Sequence, residues 1–353
     1  MNKIEGIVRW GIIGCGDVTE VKSGPGFQKA EGSALVAVMR RDEKKAADYA
    51  RRHDVPRWYA DADALIADPE VNAVYIATPP GTHEQYAMKV AAAGKPCYVE
   101  KPMSRNAAEA RRMVAAFADR DLPLFAAYYR RALPRFIKVK QLLDAGALGR
   151  LHTVRFHYAS DNQAAAGNPV AWRFLAEHAG GGLFMDMGPH PVDLFDFWFG
   201  PLKITQASAG NKARAYAVED HIRAQFTAPG LAEHGVRGIE GAMTLDFAAA
   251  PADAFLLAGD AAELRFSCFG NEPLRLRHAD GRSETFDLPN PPHVAQPLIQ
   301  TVVNALRGTG ECPGTAASAL RAQQVMDDIL NAYYGGREDH FWTRPWPGVS
   351  PKG

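Results

Sequence analysis

The sequence has few cysteines, no net charge and no long apolar run, and each absence narrows the class of protein. Its 353 residues include 4 cysteines. None of them forms a Cys-x-x-Cys pair, so neither a disulfide framework nor a zinc site is indicated. The 40 basic and 40 acidic residues balance, which removes the electrostatic basis for sequence-independent binding to nucleic acid or anionic membranes. No apolar run approaches the roughly 20 residues of a membrane-spanning helix, and no signal-peptide pattern opens the chain. We therefore expect a cytoplasmic protein with no metal, nucleic-acid or membrane partner.

The chain is longer than the roughly 250 to 300 residues at which a single hydrophobic core stops growing, so two domains are expected. In residues 1–126, short apolar runs alternate with helical patterns, which is typical of βαβ units on a doubly wound parallel sheet. The predicted strands are 8–13, 34–39, 71–77, 96–99 and 124–128. Helical patterns cover 43–53 and 106–120 between them.

The pattern changes in residues 127–342, where most strand-like runs follow one another without a crossover helix. This predicts a second α/β domain with a large, mostly antiparallel sheet, built from runs at 151–160, 203–208, 221–226, 242–247 and 262–269. Helices are predicted at 134–145, after Gly182, at 293–306 and at 316–334. Residues 343–353 are rich in proline and predict an irregular tail.

A glycine turn, Gly14-Cys15-Gly16, follows the first strand and predicts a dinucleotide site. Gly14 would allow the tight turn, and Gly16 would let the backbone approach a pyrophosphate, with Asp17 and Val18 opening the next helix. Thr19 replaces the third glycine of the usual fingerprint, and the following residues, Gly24-Pro25-Gly26, predict a short or broken helix. Cys15 is either a redox-sensitive thiol or a small buried side chain.

The residues after the second strand, Met39-Arg40-Arg41-Asp42, bear on the choice of cofactor. An acidic residue here accepts from the ribose 2′-hydroxyl of NAD, whereas arginine accommodates the 2′-phosphate of NADP. Arg40 and Arg41 therefore favour NADP(H) over NAD(H). The alternative is that both are solvated charges leading into a helix capped by Asp42.

A second loop, Thr78-Pro79-Pro80, should pass beneath the cofactor at the end of a buried strand. Thr82 with Gln85 fits a capping box for the helix that follows. His83 would then lie in the first helical turn, where a structural role and a contact with the nicotinamide ribose are alternatives.

The candidate catalytic base is Lys101, within Glu100-Lys101-Pro102 at the carboxyl end of a buried strand. Open α/β sheets bind their ligands at this edge. Hydride transfer from a carbinol needs a proton acceptor near the alcohol oxygen, and a lysine can serve as one. The alternative is an ordinary surface charge.

Two further candidates are Asp186 and His190, which are four residues apart. On a continuous helix this spacing puts both side chains on one face, where they could flank one substrate oxygen. Pro189 and Pro191 would kink or restart such a helix. Asp193 extends the acidic side or is a solvated or capping residue.

Together these motifs resemble the glucose-fructose oxidoreductase and inositol dehydrogenase family, Gfo/Idh/MocA, over nearly the whole chain. The resemblance implies an N-terminal Rossmann domain and a C-terminal α/β domain whose open sheet serves a homodimer or homotetramer. It also implies hydride transfer at a hydroxyl or carbonyl of a sugar, a polyol or a related small molecule. The residues that carry it are Gly14-Cys15-Gly16, Thr78-Pro79-Pro80, Glu100-Lys101-Pro102, Tyr128-Tyr129-Arg130-Arg131, Trp172-Arg173 and 180–190.

The resemblance also implies a role for each matching residue. Lys101 would be the acid/base that touches both nicotinamide and substrate, with His190 as a second proton-transfer or orienting group and Asp186 as a ligand for substrate hydroxyls. Tyr128 would contact substrate, and Arg130 would line the domain junction. Taken together, the motifs and the resemblance give these expected cofactor contacts: Gly14, Gly16, Asp17, Val18, Arg40, Arg41, Thr78, Pro79, Pro80, His83, Glu100, Lys101, Arg130, Trp172 and Arg173.

Three functions are compatible with these residues. The first is an NADP(H)- or NAD(H)-dependent sugar or polyol oxidoreductase. The second is a glycosidase or dehydratase that uses a retained cofactor for transient oxidation. The third is a non-catalytic dinucleotide sensor, against which the joint presence of Lys101, Asp186 and His190 argues. The sequence does not distinguish one sugar or polyol from another.

Overall fold

A computed structural model describes residues 3–161, 171–230 and 238–346. Its strands are β1 Val8–Ile13, β2 Ser33–Met39, β3 Arg57–Tyr59, β4 Ala73–Ile76, β5 Cys97–Val99, β6 Leu124–Ala126, β7 Leu151–Asp161, β8 Lys203–Gly210, β9 His221–Ala228, β10 Ile239–Asp246, β11 Ala248–Gly259, β12 Ala262–Phe266, β13 Leu274–His278 and β14 Ser283–Phe286. Its α-helices are α1 Asp17–Val21, α2 Gly24–Lys29, α3 Glu43–Arg52, α4 Ala62–Ala67, α5 His83–Ala92, α6 Ala107–Ala118, α7 Pro134–Asp144, α8 Ala176–Ala179, α9 Leu183–Met187, α10 Pro189–Phe199, α11 Gln296–Arg307 and α12 Ala316–Tyr334.

The contacts within the chain divide it into two compact units. These units are defined by contacts, whereas the predicted domains, 1–126 and 127–342, are defined by sequence pattern. The first unit comprises Met1–Ser104, Ala108–Leu133 and Pro291–Leu320. The second comprises Arg105–Ala107, Pro134–Asn290 and Arg321–Gly353. The predicted boundaries stay predictions.

The first unit contains a six-stranded sheet in the order β3-β2-β1-β4-β5-β6, and every pairing in it is parallel. This is the doubly wound order of a Rossmann fold, and the predicted fold class is confirmed. All four residues of β4 are buried, as expected for a parallel strand covered on both faces. The order reverses between β1 and β4, and ligands bind at the carboxyl ends of the strands beside such a switch point.

The helix after β1 is broken, as predicted. It forms α1, of five residues, and then α2, whose first turn contains Pro25. A Cβ on Gly26 in α2 would lie 2.9 Å from Cδ1 of Ile299 in α11, so the two helices pack closely. This contact is one reason why Pro291–Leu320 belongs to the first unit. The sequence predicted a helix in this segment but not that it packs on the N-terminal part of the chain.

The second unit contains an eight-stranded sheet in the order β14-β13-β12-β11-β7-β10-β9-β8. All of its pairings are antiparallel except that between β7 and β10, which confirms the mostly antiparallel sheet. One face packs on aromatic side chains of α10. Trp198 there is fully buried between Phe255 and Phe266, at ring-centroid distances of 5.3 and 5.8 Å.

Four strands were not predicted: β3, β11, β13 and β14. The most consequential is β11, which pairs with β7 on one side and β12 on the other. Its first half is rich in alanine and contains Pro251, a composition that disfavours strands. The register shifts between Ala248 and Ala252, so the proline lies in an irregularity of the ladder, where a missing N–H costs little.

The C-terminal segment lies in the second unit as far as the structure describes it. Phe341–Thr343 forms a short 3-10 turn, and Phe341 is fully buried. Residues 344–346 have no regular structure, but Nε1 of Trp346 donates to the carbonyl of Ala217 at 3.2 Å. The rest of the predicted irregular tail, 347–353, lies outside the described residues. Within residues 3–161, 171–230 and 238–346, no helix has both the length and the apolar composition to cross a membrane.

Candidate functional site

The glycine turn has the geometry that a dinucleotide site needs. Gly14 has φ +91°, and a Cβ there would lie 2.6 Å from Cγ2 of Thr78. Gly16 faces open space, since a Cβ there would have only Nη1 of Arg40 and the carbonyl of Gly14 nearby, each at 3.9 Å. The first position therefore requires glycine for backbone conformation, and the second leaves room for a ligand to approach the main chain.

Thr19 takes over part of the task of the missing third glycine. Its hydroxyl accepts from the Gly16 N–H at 2.9 Å and donates to the Gly16 carbonyl at 2.8 Å, which ties the turn to α1. The N–H groups of Asp17 and Val18, in the first turn of α1, lack intrahelical acceptors. They are the candidate donors to a phosphate.

Arg40 lies against the glycine turn, where Nη1 donates to the carbonyl of Cys15 at 3.3 Å. Arg41 is exposed, and Asp42 caps α3 by accepting from the Lys45 N–H at 3.1 Å. The predicted cap at Asp42 is therefore present, and the choice between the two cofactors stays a prediction. Cys15 is buried, which raises the pKa of its thiol to about 11 and favours the small buried side chain over a reactive thiolate.

His83, at the start of α5, is fully buried, and both ring nitrogens lie near main-chain carbonyls, to which a neutral ring can donate from one nitrogen only. Nε2 lies 2.7 Å from the Thr78 carbonyl, and Nδ1 lies 3.1 and 3.3 Å from the carbonyls of Pro102 and Met103. Burial lowers the pKa of His83 to about 4. The neutral ring therefore lies between the loop after β4 and the loop after β5 and donates to one of them, which favours the structural role over contact with a ribose.

The loop after β4 begins with Thr78 and Pro79 and continues as the 3-10 turn Pro80–Thr82. The predicted capping box of Thr82 with Gln85 is wrong. The Thr82 hydroxyl donates to Oγ1 of Thr78 at 2.8 Å and to the Pro79 carbonyl at 3.1 Å, because the 3-10 turn directs it back toward the preceding loop.

Lys101 follows β5 at the edge of the sheet and is half-buried. Its position is fixed through its own backbone, because the N–H of Lys101 donates to Oε2 of Glu100 at 3.0 Å. Oε1 of Glu100 accepts from the hydroxyl of Tyr75 in β4, whose ring stacks on Tyr98 in β5. Glu100 is only 8% exposed, and burial raises its pKa. Glu100 thus holds Lys101 in place from within the protein.

Tyr128 and Arg130, predicted from the resemblance, follow β6 and are buried in the first unit. Nη1 of Arg130 donates to the hydroxyl of Tyr129 at 2.7 Å. Arg131 donates to the carbonyl of Pro313 at 3.2 Å, which connects this turn to the segment after α11.

In the second unit, Gly180, Gly181 and Gly182 precede the helices that carry Asp186 and His190. Gly180 has φ +85°, and a Cβ there would lie 2.7 Å from the Arg105 carbonyl oxygen. The N–H of Gly182 donates to Oε1 of Glu219 at 2.9 Å. Glu219 is fully buried, burial raises its pKa, and it also accepts from the hydroxyl of Tyr334. Sequence reasoning missed Glu219, which no motif marks.

Asp186 and His190 lie on two different helices. Asp186 is in α9, which ends at Met187, and His190 is in α10, which begins at Pro189. The single helical face suggested by their spacing is therefore wrong, because the proline restarts the helix. Asp193 is 1% exposed, which excludes a solvated side chain.

Asp186 belongs to a cluster with Trp172 and Arg173. Nε of Arg173 lies 3.3 Å from Oδ2 of Asp186, and its guanidinium lies 4.4 Å from the centroid of the Trp172 ring. Three residues predicted from two separate motifs thus meet at one place on the second unit. Together they offer a carboxylate, a cation and a flat face, which suits a polar ligand with an apolar ring face.

His190 is 4% exposed and rests on Phe269, with ring centroids 5.6 Å apart and an interplanar angle of 72°. Phe269 was not predicted, because it lies in a connection that carries no chemical motif. Among the described residues, no group of three His, Cys, Asp or Glu side chains is arranged to hold a metal ion.

Comparison with known families matches both halves of the chain. Residues 8–128 match the model described as "Oxidoreductase family, NAD-binding Rossmann fold", and residues 136–265 match the GFO/IDH/MocA C-terminal domain. An oxidoreductase of Formosa agariphila is 36% identical over 92% of this chain and 98% of its own length. A trans-1,2-dihydrobenzene-1,2-diol dehydrogenase of Bos taurus is 29% identical over 81% of each chain.

Solved structures share the fold at lower identity. A 3-ketoreductase from Actinomadura kijaniata, in complex with NADP and TDP-benzene, has a TM-score of 0.79 at 21% identity and covers 92% of this chain and 98% of its own. A levoglucosan dehydrogenase, in complex with NADH and levoglucosan, has a TM-score of 0.79 at 21% identity, with 92% and 96% covered. The fold, the two family matches and the Formosa agariphila relative agree, and the chain belongs to the Gfo/Idh/MocA family of nicotinamide-dependent oxidoreductases.

Proposed function

We propose that the protein moves a hydride between NADP(H) and the hydroxyl or carbonyl carbon of a sugar, a polyol or a related small molecule such as a cyclic diol. When bound, the nicotinamide accepts or supplies the hydride. The observation that carries the proposal is Lys101, held at the carboxyl end of β5 by Glu100 at the sheet edge where such folds bind ligands. The names of the similar proteins describe chemistry on sugars and diols, which supports the substrate class.

Each side chain has a proposed task. Lys101 takes the hydroxyl proton when the alcohol is oxidised and returns it when the carbonyl is reduced. Asp186, with its orientation fixed by Arg173, binds substrate hydroxyls, and Trp172 offers a flat face to the ring. His190 is the second proton-transfer or orienting group.

The residues of the first unit fit a dinucleotide. The open space at Gly16 admits a pyrophosphate to the main chain, and the N–H groups of Asp17 and Val18 can donate to it. The Arg40 guanidinium, beside this turn, is the proposed partner of a 2′-phosphate, which arginine binds well because of its forked donors. NADP(H) is therefore the proposed cofactor.

The role of Lys101 is tested by Lys101→Met, which keeps the side-chain length and removes the amine. Turnover is measured by NADPH absorbance on a panel of sugars, polyols and cyclic diols, with NADPH binding followed separately by fluorescence. We expect turnover to fall by about 10²- to 10⁴-fold with cofactor affinity nearly unchanged. Lys29→Met, at an exposed lysine of α2, is the matched control.

Two results would contradict the proposal. A Lys101→Met variant with most of its turnover would remove the acid/base role. Product formation without net change in nicotinamide redox state would favour transient oxidation in a glycosidase or dehydratase instead.

The cofactor preference is tested by Arg40→Ala, with Arg51→Ala, at an exposed arginine of α3, as the control. Losing a hydrogen bond to a charged group costs about 1.5 to 3 kcal/mol, so NADPH affinity should fall by roughly 10- to 150-fold. NADH affinity should change little. Equal losses for both cofactors would leave Arg40 a part of the turn without a role in selecting the phosphate.

Two further features belong to this proposal. The four cysteines are free and buried, which suits the reducing cytoplasm. A homo-oligomer, dimer or tetramer, is proposed to use the polar face of the second sheet, where exposed Arg265 and Arg277 form ion pairs with Glu263 and exposed Arg275 lies opposite Arg265. Light scattering on the purified protein tests the assembly.

A further inference from the structure

The imidazole of His190 is in contact with an aromatic ring from a neighbouring connection. Phe269 lies between β12 and β13 and meets His190 edge to face, at 5.6 Å between centroids and 72° between planes. This is a favoured arrangement of aromatic rings, because the positive edge of one meets the negative face of the other. Phe269 is only half-buried, so burial alone does not account for its placement.

The backbone around Phe269 is held by the carboxylate of Asp253. Asp253 in β11 accepts from the N–H groups of Cys268, Phe269 and Gly270 at 2.8, 2.6 and 3.1 Å. Asp253 pairs with Tyr158 of β7, whose ring packs on Phe269 with a centroid distance of 5.0 Å. Asp253, which binds the loop, and Tyr158, whose ring packs on Phe269, therefore lie opposite each other on two neighbouring strands, β11 and β7.

A cation holds the same loop from the other side. Arg135 in α7 is 1% exposed and donates to the Gly270 carbonyl and, at 2.9 Å, to the Glu272 carbonyl. It also donates to the hydroxyl of Ser267 at 3.3 Å. In the main chain from 267 to 272, N–H groups thus donate to a carboxylate and carbonyl groups accept from a guanidinium. Hydrogen bonds to charged groups are stronger than those between neutral groups.

We propose that Asp253 and Phe269 are positioning residues for His190. The carboxylate fixes the loop, the loop presents the Phe269 ring, and the ring limits the orientation of the imidazole so that it is ready for proton transfer. This inference rests on the proposed role of His190 in turnover. Neither residue needs to touch substrate or cofactor for it to hold.

The test compares Asp253→Asn, Phe269→Leu and Phe269→Tyr. Asparagine replaces one accepting oxygen with a donor that opposes the loop N–H groups, and leucine removes the aromatic ring while leaving the Asp253 bonds intact. We expect kcat to fall at least tenfold in both, with KM and NADPH affinity within about threefold. Phe269→Tyr keeps the ring and should retain most of kcat. Asp280→Asn, which changes an exposed turn between β13 and β14, is the control.

A second readout follows His190 directly. In NMR spectra of histidine ring protons, assigned with His190→Gln, we expect the His190 signals to move or broaden in Asp253→Asn and Phe269→Leu but not in Asp280→Asn. Unchanged His190 signals and unchanged kcat in both variants would overturn the inference. If His190→Gln itself retains full turnover, the proton-transfer role of His190 in the proposed function is wrong. This failure can be told apart from failure of the positioning inference, because the His190 ring signals report its positioning independently of turnover.

Discussion

The buried imidazole of His83 should make the first unit sensitive to mild acid. Its pKa falls from 6.5 to about 4 because burial disfavours the charged ring, although the surrounding carbonyls partly oppose the shift. The unfolded chain therefore binds a proton at a higher pH than the folded chain does. Stability from this group is fully present above pH 6.5 and is lost as the pH falls through about 4.

The magnitude follows from the linkage of proton binding to folding. At about 1.4 kcal/mol per pKa unit, the whole effect is about 3 kcal/mol. Between pH 7 and pH 5, the lost part is about 2 kcal/mol in the free energy of unfolding. A loss of this size is a large fraction of the stability of an ordinary domain.

The perturbation is His83→Gln, which removes the titration but keeps a donor that can reach the Thr78 carbonyl. We expect the variant to be less stable at pH 7 by about 1 to 3 kcal/mol, since its bonds to buried carbonyls are poorer. Between pH 7 and pH 5, however, it should lose about 2 kcal/mol less than the unaltered protein does.

Urea unfolding at both pH values measures this difference, with pulsed hydrogen exchange on peptides from β4 and α5 reporting the first unit separately. The labelling pulse is applied at one fixed pH so that intrinsic exchange rates cancel. His178→Gln, at an exposed histidine, should keep the pH dependence of the unaltered protein. Parallel pH dependence of His83→Gln and the unaltered protein would refute the reasoning.

The remaining predictions concern packing and thiol access. Gly24→Ala should lower the free energy of unfolding by about 2 kcal/mol or more, because the new Cβ would overlap the Thr19 carbonyl oxygen. Gly210→Ala, whose Cβ would meet nothing within 4 Å, should leave it nearly unchanged. The two variants are compared by their urea unfolding midpoints. Glu219→Ala removes the acceptor of two buried donors, the Tyr334 hydroxyl and the Gly182 N–H, and at about 1 to 3 kcal/mol for each it should lower the free energy of unfolding by about 2 to 6 kcal/mol, measured the same way. A thiol reagent at pH 8 should react slowly with the folded protein, because all four of its cysteines are buried, and should modify all four thiols once the protein is unfolded. The four cysteines are Cys15, Cys97, Cys268 and Cys312. Rapid reaction of the folded protein would contradict this.

Much of the first unit was predictable because its signals are local. The parallel strands are apolar runs, and β1 begins and ends at the predicted residues, Val8 and Ile13. The conformation of Gly14 and the cap at Asp42 depend on residues close by in the chain, as does the break between α1 and α2. The capping box at Thr82 failed because the hydroxyl had a nearer partner in the loop before it.

The candidate site was predicted in its residue types more than in its arrangement. Lys101 lies at the end of β5, as the pattern indicated. Asp186 contacts Arg173, from a separate motif, and His190 contacts Phe269, from a connection 79 positions later in the chain. Such contacts join elements that the chain order keeps apart, so no spacing rule could indicate them.

The class of fold, the glycine turn and the chemically reactive residues could be inferred from local sequence, because apolar periodicity and backbone conformation depend on neighbours within a few positions. The central position of the alanine-rich β11 in its sheet could not be inferred in this way, since its hydrogen bonds come from β7 and β12. Burial by the surrounding fold likewise favours a structural role for His83. Hydrogen bonds between segments far apart in the chain hold the loop around Phe269 against Asp253. Burial and long-range pairing are properties of the assembled chain, and their physical consequences appear only once it has folded.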